Sequence, residues 1–300
     1  MKILVIGATG FVGGAVARYL RGAGHDVVGL ARSDRTAARL AVQDISPLRA
    51  DLDSGLAKVL TAATSVDAVV VAAQLVPETE TTVVSALLDT LTGSGKTFVF
   101  TSGSGVLMQR TAGAWSEDTF TEDDPFTVEP LATERLAVEK LVRAAAERDI
   151  RSVVVRPGLI WGPGDHGHVS MIYRSVARTG AACYVGEGLN TYSHVHVDDV
   201  IRLFELVLAR GASGGLYHAV AGETPNRWLA EAVGRDLDRP TRSLPPAEAA
   251  AVWGEFGALI MGASSRIRAP RAREELGWTP RNDDMLTMVG EPRLRELARG

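Results

Sequence analysis

One cysteine in 300 residues, Cys183, excludes an internal disulfide and any metal site built from several thiolates. It lies in Ala181-Ala182-Cys183-Tyr184-Val185, an apolar strand-like run, so a buried inert thiol is expected. No apolar stretch approaches the roughly 20 residues that a membrane-spanning helix needs. The opening Met1-Lys2-Ile3-Leu4-Val5-Ile6 enters a strand at once, without the longer apolar segment and small-residue cleavage site of a secretory signal. A soluble, cytoplasmic protein is the expectation. Charge of one sign is missing too. Against 36 acidic side chains stand 32 Lys and Arg, and the net −4 creates no global field for nucleic acid or anionic lipid. Lysine itself is scarce: Lys2, Lys58, Lys96 and Lys140 stand against 28 arginines. There is no internal repeat and no low-complexity tract.

What is present is a core. A hydrophobic fraction of 46% argues against disorder. Strand candidates fall at 2–6, 26–31, 48–52, 67–73, 97–101 and 152–156, with helical patterns at 12–21, 81–91 and 131–148. Val69-Val70-Val71 and Val153-Val154-Val155 are unbroken apolar triplets, the pattern of strands covered by helices on both faces. Repeated β-α-β order predicts an α/β fold, a Rossmann doubly wound parallel sheet with a smaller C-terminal substrate-binding domain. The expected division is 1–162 for the dinucleotide-binding domain, with 191–212 returning to it, and 163–300 for the smaller region. In that region a helix is predicted over 198–209, capped by Asp198 or Asp199, with shorter pieces at 228–236 and 248–259.

The strongest motif is Gly7-Ala8-Thr9-Gly10-Phe11-Val12-Gly13, which follows the first strand and opens the first helix. A diphosphate on a helix N-terminus needs backbone with no Cβ in its way, free amide hydrogens and the positive dipole end. Gly7 suits the tight turn, Gly10 the close approach, and Gly13 close packing of helix on strand. Thr9, Phe11 and Val12 belong to the same cofactor-binding turn. The second strand ends in Leu30-Ala31-Arg32-Ser33, not in the acid that usually accepts from the ribose hydroxyls of NAD. Arg32 and Ser33 offer a cation and a hydroxyl to the 2′-phosphate of NADP. Asp34 follows directly, so NAD use stays open. Asp51 and Leu52 end the third strand, where they could flank the adenine. Ala72 and Ala73 end the fourth, small enough to let a nucleotide pass.

With these residues the chain resembles the extended and atypical short-chain dehydrogenase/reductases, the group of NAD-dependent epimerases and dehydratases. The likeness continues through Phe98-Val99-Phe100-Thr101-Ser102-Gly103-Ser104, then Val155-Arg156-Pro157-Gly158, and Val195-His196-Val197-Asp198-Asp199-Val200. It implies cofactor binding across 1–160, with Pro157 beside the cofactor, and substrate binding by the C-terminal third. The family's common dimer would use the helices at 81–91 and 131–148, which makes a homodimer one expectation alongside a small-molecule substrate.

The active site departs from that family, whose members usually carry Tyr-x-x-x-Lys. No such pair exists here; the resemblance puts Leu131 at the tyrosine position and Arg135 at the lysine position. Arg135 could still bond ribose hydroxyls, but a guanidinium is no acid near neutral pH. Ser104 and Ser102 are candidates to polarise a carbonyl, or else plain turn hydroxyls. His166, in Asp165-His166-Gly167-His168, is the candidate replacement acid, because ligands of open α/β sheets sit outside the carboxyl ends of strands. No metal is expected. Tyr192 and His196 face a choice between cavity and core. Three functions fit: an NADP(H)-dependent oxidoreductase acting on a small carbonyl or activated double bond, an isomerase or dehydratase that retains its nicotinamide, and a non-catalytic NADP(H) sensor.

Overall fold

In a computed structural model, which describes residues 1–164 and 167–299, strand and helix alternate through the first half of the chain. The order is β1 (Lys2–Ile6), α1 (Phe11–Gly22), β2 (Asp26–Ala31), α2 (Asp34–Ala41), β3 (Ser46–Arg49), α3 (Leu56–Thr64), β4 (Ala68–Val71), α4 (Pro77–Leu91), β5 (Thr97–Thr101), α5 (Thr133–Ala144) and β6 (Arg151–Pro157). There follow β7 (Leu159–Trp161), α6 (His168–Thr179), β8 (Ala182–Val185), β9 (Thr191–His196), α7 (Val197–Arg210), β10 (Gly215–Ala219), β11 (Gly222–Pro225), α8 (Asn226–Leu237), β12 (Thr241–Leu244), α9 (Pro246–Gly262), α10 (Pro270–Leu276) and α11 (Pro292–Glu296).

Seven strands form one parallel sheet in the order β10-β6-β5-β4-β1-β2-β3. Its two faces carry separate apolar cores. Val16, Leu20, Phe204 and Val207 from α1 and α7 cover Val5, Val70 and Val99 on one side. Val59, Val83, Leu87 and Val138 from α3, α4 and α5 cover Leu4, Val69 and Phe98 on the other. Burial on both faces is what the valine triplets require. This is the doubly wound Rossmann arrangement. The chain runs outward from β1 to β3 and then resumes beside β1 at β4, and that reversal opens a crevice at the carboxyl ends of β1 and β4.

Three local readings shift. The third strand is Ser46–Arg49 rather than 48–52; as an exposed edge strand it carries little apolar pattern to fix its ends. Helix α4 starts at Pro77, not residue 81, because proline pre-sets φ at a first helical position and Glu78 and Glu80 suit the first turn. Helix α7 is capped by His196, whose Nδ1 accepts from the Asp198 amide at 3.2 Å. Asp199 is instead buried, accepting from the amides of Arg281 at 3.0 Å and Asn282 at 2.9 Å.

The remaining strands make two small sheets, β11-β9-β7 and β12-β8. Around them Trp161, Ile172, Tyr173, Leu229, Val233 and Met261 form a third core, which also buries Cys183. Helix α9 breaks at Gly254, where φ is +75°. Residues 264–268 form a seam: Gln109 pairs with Ser264, Tyr192 with Ser265 and Phe120 with Ile267. No helix among the described residues is long and apolar enough to cross a membrane.

Candidate active site

At the crevice the glycine turn is packed too tightly for side chains at two of its three glycines. Gly7 takes φ +97°, and a Cβ there would lie 2.7 Å from the Ala72 carbonyl carbon. A Cβ on Gly13 would lie 2.4 Å from Gly7 O, so α1 can approach β1 only without a side chain. Gly10 is the N-cap of α1, with φ −86° and no side-chain cap, and the first turn opens onto a cleft. That cleft, about 770 Å³, brings together Gly7, Thr9, Gly10, Phe11, Val12, Arg32, Asp51, Leu52, Ala72 and Ala73. Arg32 is exposed and makes no ion pair among the described residues. Ser33 is not a lining residue. Its Oγ accepts from the Thr36 amide at 3.2 Å, completing a capping box at the start of α2. Pro157 is likewise away from the lining, buried at the end of β6 opposite Ala219.

Beyond Val12, Ala72 and Ala73 the cleft continues into a chamber of about 430 Å³ lined by Glu80, Ser102, Gly103, Met108, Leu131, Arg135, Ile160 and Phe256. Arg135 Nη1 donates to Thr101 O at 3.2 Å, and its Nε lies 3.1 Å from Glu80 Oε2. Leu131 and Phe256 are 64% and 66% exposed, so hydrocarbon frames the mouth. The Ser102 hydroxyl donates to Glu139 Oε1 at 2.5 Å. Ser104 is buried, outside the lining, and among the described residues its Oγ meets no partner at full hydrogen-bond geometry. It is still near enough to the buried Tyr192 hydroxyl to act, with Ser265, against the rise that burial gives that phenol's pKa. Tyr192 is thus a packed core residue beside the Ser104–Gly105 turn. His166 lies outside the described residues.

Sequence reasoning missed what holds Ser102. Glu139 is buried and ion-paired with Arg156, whose Nε donates to Oε1 at 3.1 Å. Arg156 Nη1 lies 3.1 Å from His218 Nε2. An arginine only donates, so Nε2 is the bare nitrogen and Nδ1–H donates to Arg268 O at 2.8 Å. A signal existed: Arg156 directly follows Val153-Val154-Val155, and a charge on a buried strand demands a buried partner.

Burial also keeps three histidines neutral. The pKa of His168 is pushed down to about 4 and that of His194 to about 4, while burial and then Arg156 push His218 to about 3. Unfolded histidine titrates near pH 6.5, so below that pH the unfolded chain takes up protons that the folded one refuses. Stability is therefore complete above neutrality and falls as pH drops from about 6.5 toward 4, by up to about 1.4 kcal/mol per pH unit for each histidine. Urea melts of a His218→Gln variant should show that slope reduced by one histidine's share. An unchanged slope would count against a neutral, buried His218.

The comparisons with known proteins agree with this geometry. Residues 3–220 match the model of the NAD dependent epimerase/dehydratase family. An uncharacterized protein of Saccharomyces cerevisiae is 31% identical over 95% of this chain and 97% of its own length. A 2-alkyl-3-oxoalkanoate reductase of Stenotrophomonas maltophilia is 29% identical over 75% of this chain and 72% of its own. Among solved structures, a dTDP-glucose 4,6-dehydratase of Streptomyces venezuelae with NAD bound has TM-score 0.77 at 20% identity, covering 100% of this chain and 97% of that one. A UDP-glucose 4-epimerase of Thermotoga maritima has TM-score 0.75 at 18% identity, covering 100% and 97%. At such identities these last two likenesses speak for the fold alone.

Proposed function

Because the chain belongs to the NAD dependent epimerase/dehydratase family, we propose that it is an NADP(H)-dependent oxidoreductase of the atypical short-chain dehydrogenase/reductase kind, acting on a small carbonyl or activated double bond. One observation carries the reading. The glycine turn and Arg32 share a cleft that runs, past Val12 and Ala72–Ala73, into the chamber holding Ser102 and Arg135.

The residues fit a dinucleotide. Gly7 and Gly13 have no room for a Cβ, and the first turn of α1, with no side-chain cap from Gly10, borders the cleft with its positive dipole end. Arg32, exposed at the far end, would hold the 2′-phosphate, with Asp51 and Leu52 against the adenine and Arg135 against the second ribose. When bound, the nicotinamide supplies a hydride. The chain's own part is to orient: the Glu139–Arg156 pair fixes Ser102, and Thr101 O and Glu80 fix Arg135. Leu131 and Phe256 would shield the chamber mouth from water. The reductase name of the Stenotrophomonas relative supports the direction of chemistry. In this reading the nucleotide unit is 1–162 with a returning segment from 191, which we extend through β10 because that strand borders the main sheet; the rest of 163–300 is the substrate side.

Calorimetry with NADPH and NADH tests the proposal. Wild type should prefer NADPH, and Arg32→Ala should reduce that preference about tenfold, the lower end for a charge-assisted bond at an exposed site. No heat with either cofactor would end the reading.

A further inference from the structure

The chamber has lost its family acid, and among the described residues its lining holds two ionisable side chains, Glu80 and Arg135. Arg135 cannot give up a proton near neutral pH. Glu80 is 2% exposed, on the first turn of α4. Its Oε2 faces Arg135 Nε at 3.1 Å, but its Oε1 is buried and has no hydrogen-bond partner among the described residues. A carboxylate oxygen in that position is costly, since it has lost water and gained no donor. A proton on Oε1 removes the cost and leaves Oε2 to Arg135. Where a family tyrosine would stand, Leu131 offers only hydrocarbon.

We propose that Glu80 is the proton donor of this site, a carboxylic acid in place of the absent phenol. The proposal rests on the reading of the chamber as the nicotinamide end of the cleft. In carbonyl reduction the Oε1–H bond breaks, and the proton goes to the carbonyl oxygen as the carbon accepts a hydride from reduced nicotinamide, which leaves oxidised. The electron pair of the broken bond stays on the carboxylate, where Arg135 stabilises it until solvent returns a proton. Burial raises the Glu80 pKa above the usual carboxylate range. Among the described residues the one charge that bears on it is Arg135 from α5, which opposes the rise, and α3, the other helix packed on α4, contributes none.

Infrared difference spectra of the NADPH-loaded protein, wild type minus Glu80→Gln, test this without a substrate. Glutamine mimics the neutral acid in shape and keeps an oxygen for Arg135, so the variant should fold, and both proteins are compared at saturating NADPH. The expected result is a protonated-carboxyl stretch at neutral pH, lost in Glu80→Gln. In Arg135→Met it should persist to higher pH, because the Arg135 charge that favours the carboxylate is gone. Absence of the band from mildly acid to neutral pH, or a band unchanged in Glu80→Gln, overturns the proposal. Calorimetric titration of the same samples with NADPH separates the two readings: a missing heat rejects cofactor binding, while the band still decides the state of Glu80.

Discussion

Gly10→Leu is expected to fold normally and to lose NADP(H) affinity by about 100-fold or more, the equivalent of one or two charge-assisted hydrogen bonds at roughly 1.5–3 kcal/mol each. At φ −86° an L-residue is unstrained at Gly10, and a Cβ would lie 3.3 Å from Gly7 O, a contact relieved by a small shift. Unfolding free energy should change by less than about 1 kcal/mol. The leucine branch, however, stands at the end of α1, where a diphosphate must approach. Gly13→Val is the contrasting variant. Its Cβ would lie 2.4 Å and 2.7 Å from the Gly7 carbonyl oxygen and carbon, both backbone atoms, so it should cost about 3 kcal/mol or more of stability. Isothermal titration paired with urea melts distinguishes the two effects. Wild-type affinity in Gly10→Leu would mean that no phosphate lies on this turn.

Arg156→Met should lower unfolding free energy by about 3–5 kcal/mol, because it leaves Glu139 buried without a counter-charge. Two further groups suffer. Ser102 loses the fixed carboxylate to which it donates, and His218 loses the donor to Nε2. Replacing both charges, as Glu139→Leu with Arg156→Met, should recover much of the loss, since a buried ion pair often contributes little over well-packed apolar groups. Denaturant melts of the two single variants and the double variant measure the coupling. Additive losses would show that the pair does not act as a unit.

The sequence was informative wherever a residue type has one mechanical use. Gly7, Gly10 and Gly13 followed a strand and opened a helix, and both valine triplets lie in the central sheet. It was less informative where a side chain had two uses. The Ser33 hydroxyl suits a phosphate or a helix cap, and the Thr36 amide three residues later takes it. Glu80 drew no reading, one residue ahead of the helix predicted from 81, yet it shares a helix face with the buried Val83, Val84, Leu87 and Leu91. Spacing alone could have flagged it. Glu139 and Arg156 stand 17 positions apart on different elements, and only tertiary packing brings them together. Edge strand β3 slipped because its exposed residues carry little pattern. The aromatic side chains of the last third divide without a sequence rule: Tyr173 is buried with its hydroxyl on Asp236 at 2.7 Å, while Trp228 stays 57% exposed.

The strip at 264–268 bears on how this molecule could be taken apart. Its backbone trades amide bonds with Gln109 and Phe120, which follow the fifth strand of the large sheet, and with Thr191 and Ser193 of the small one. Ser265 also ties its hydroxyl to Ser104 O at 2.7 Å. A thread sewn into both pieces makes them a poor pair of interchangeable modules. Grafting the last third of a relative onto the large-sheet part of this chain would require the donor strip to match loop 104–120 bond for bond. Cutting the chain ahead of residue 264 would unpick the backing of loop 104–120, which gives Gly105, Val106 and Met108 to the chamber wall.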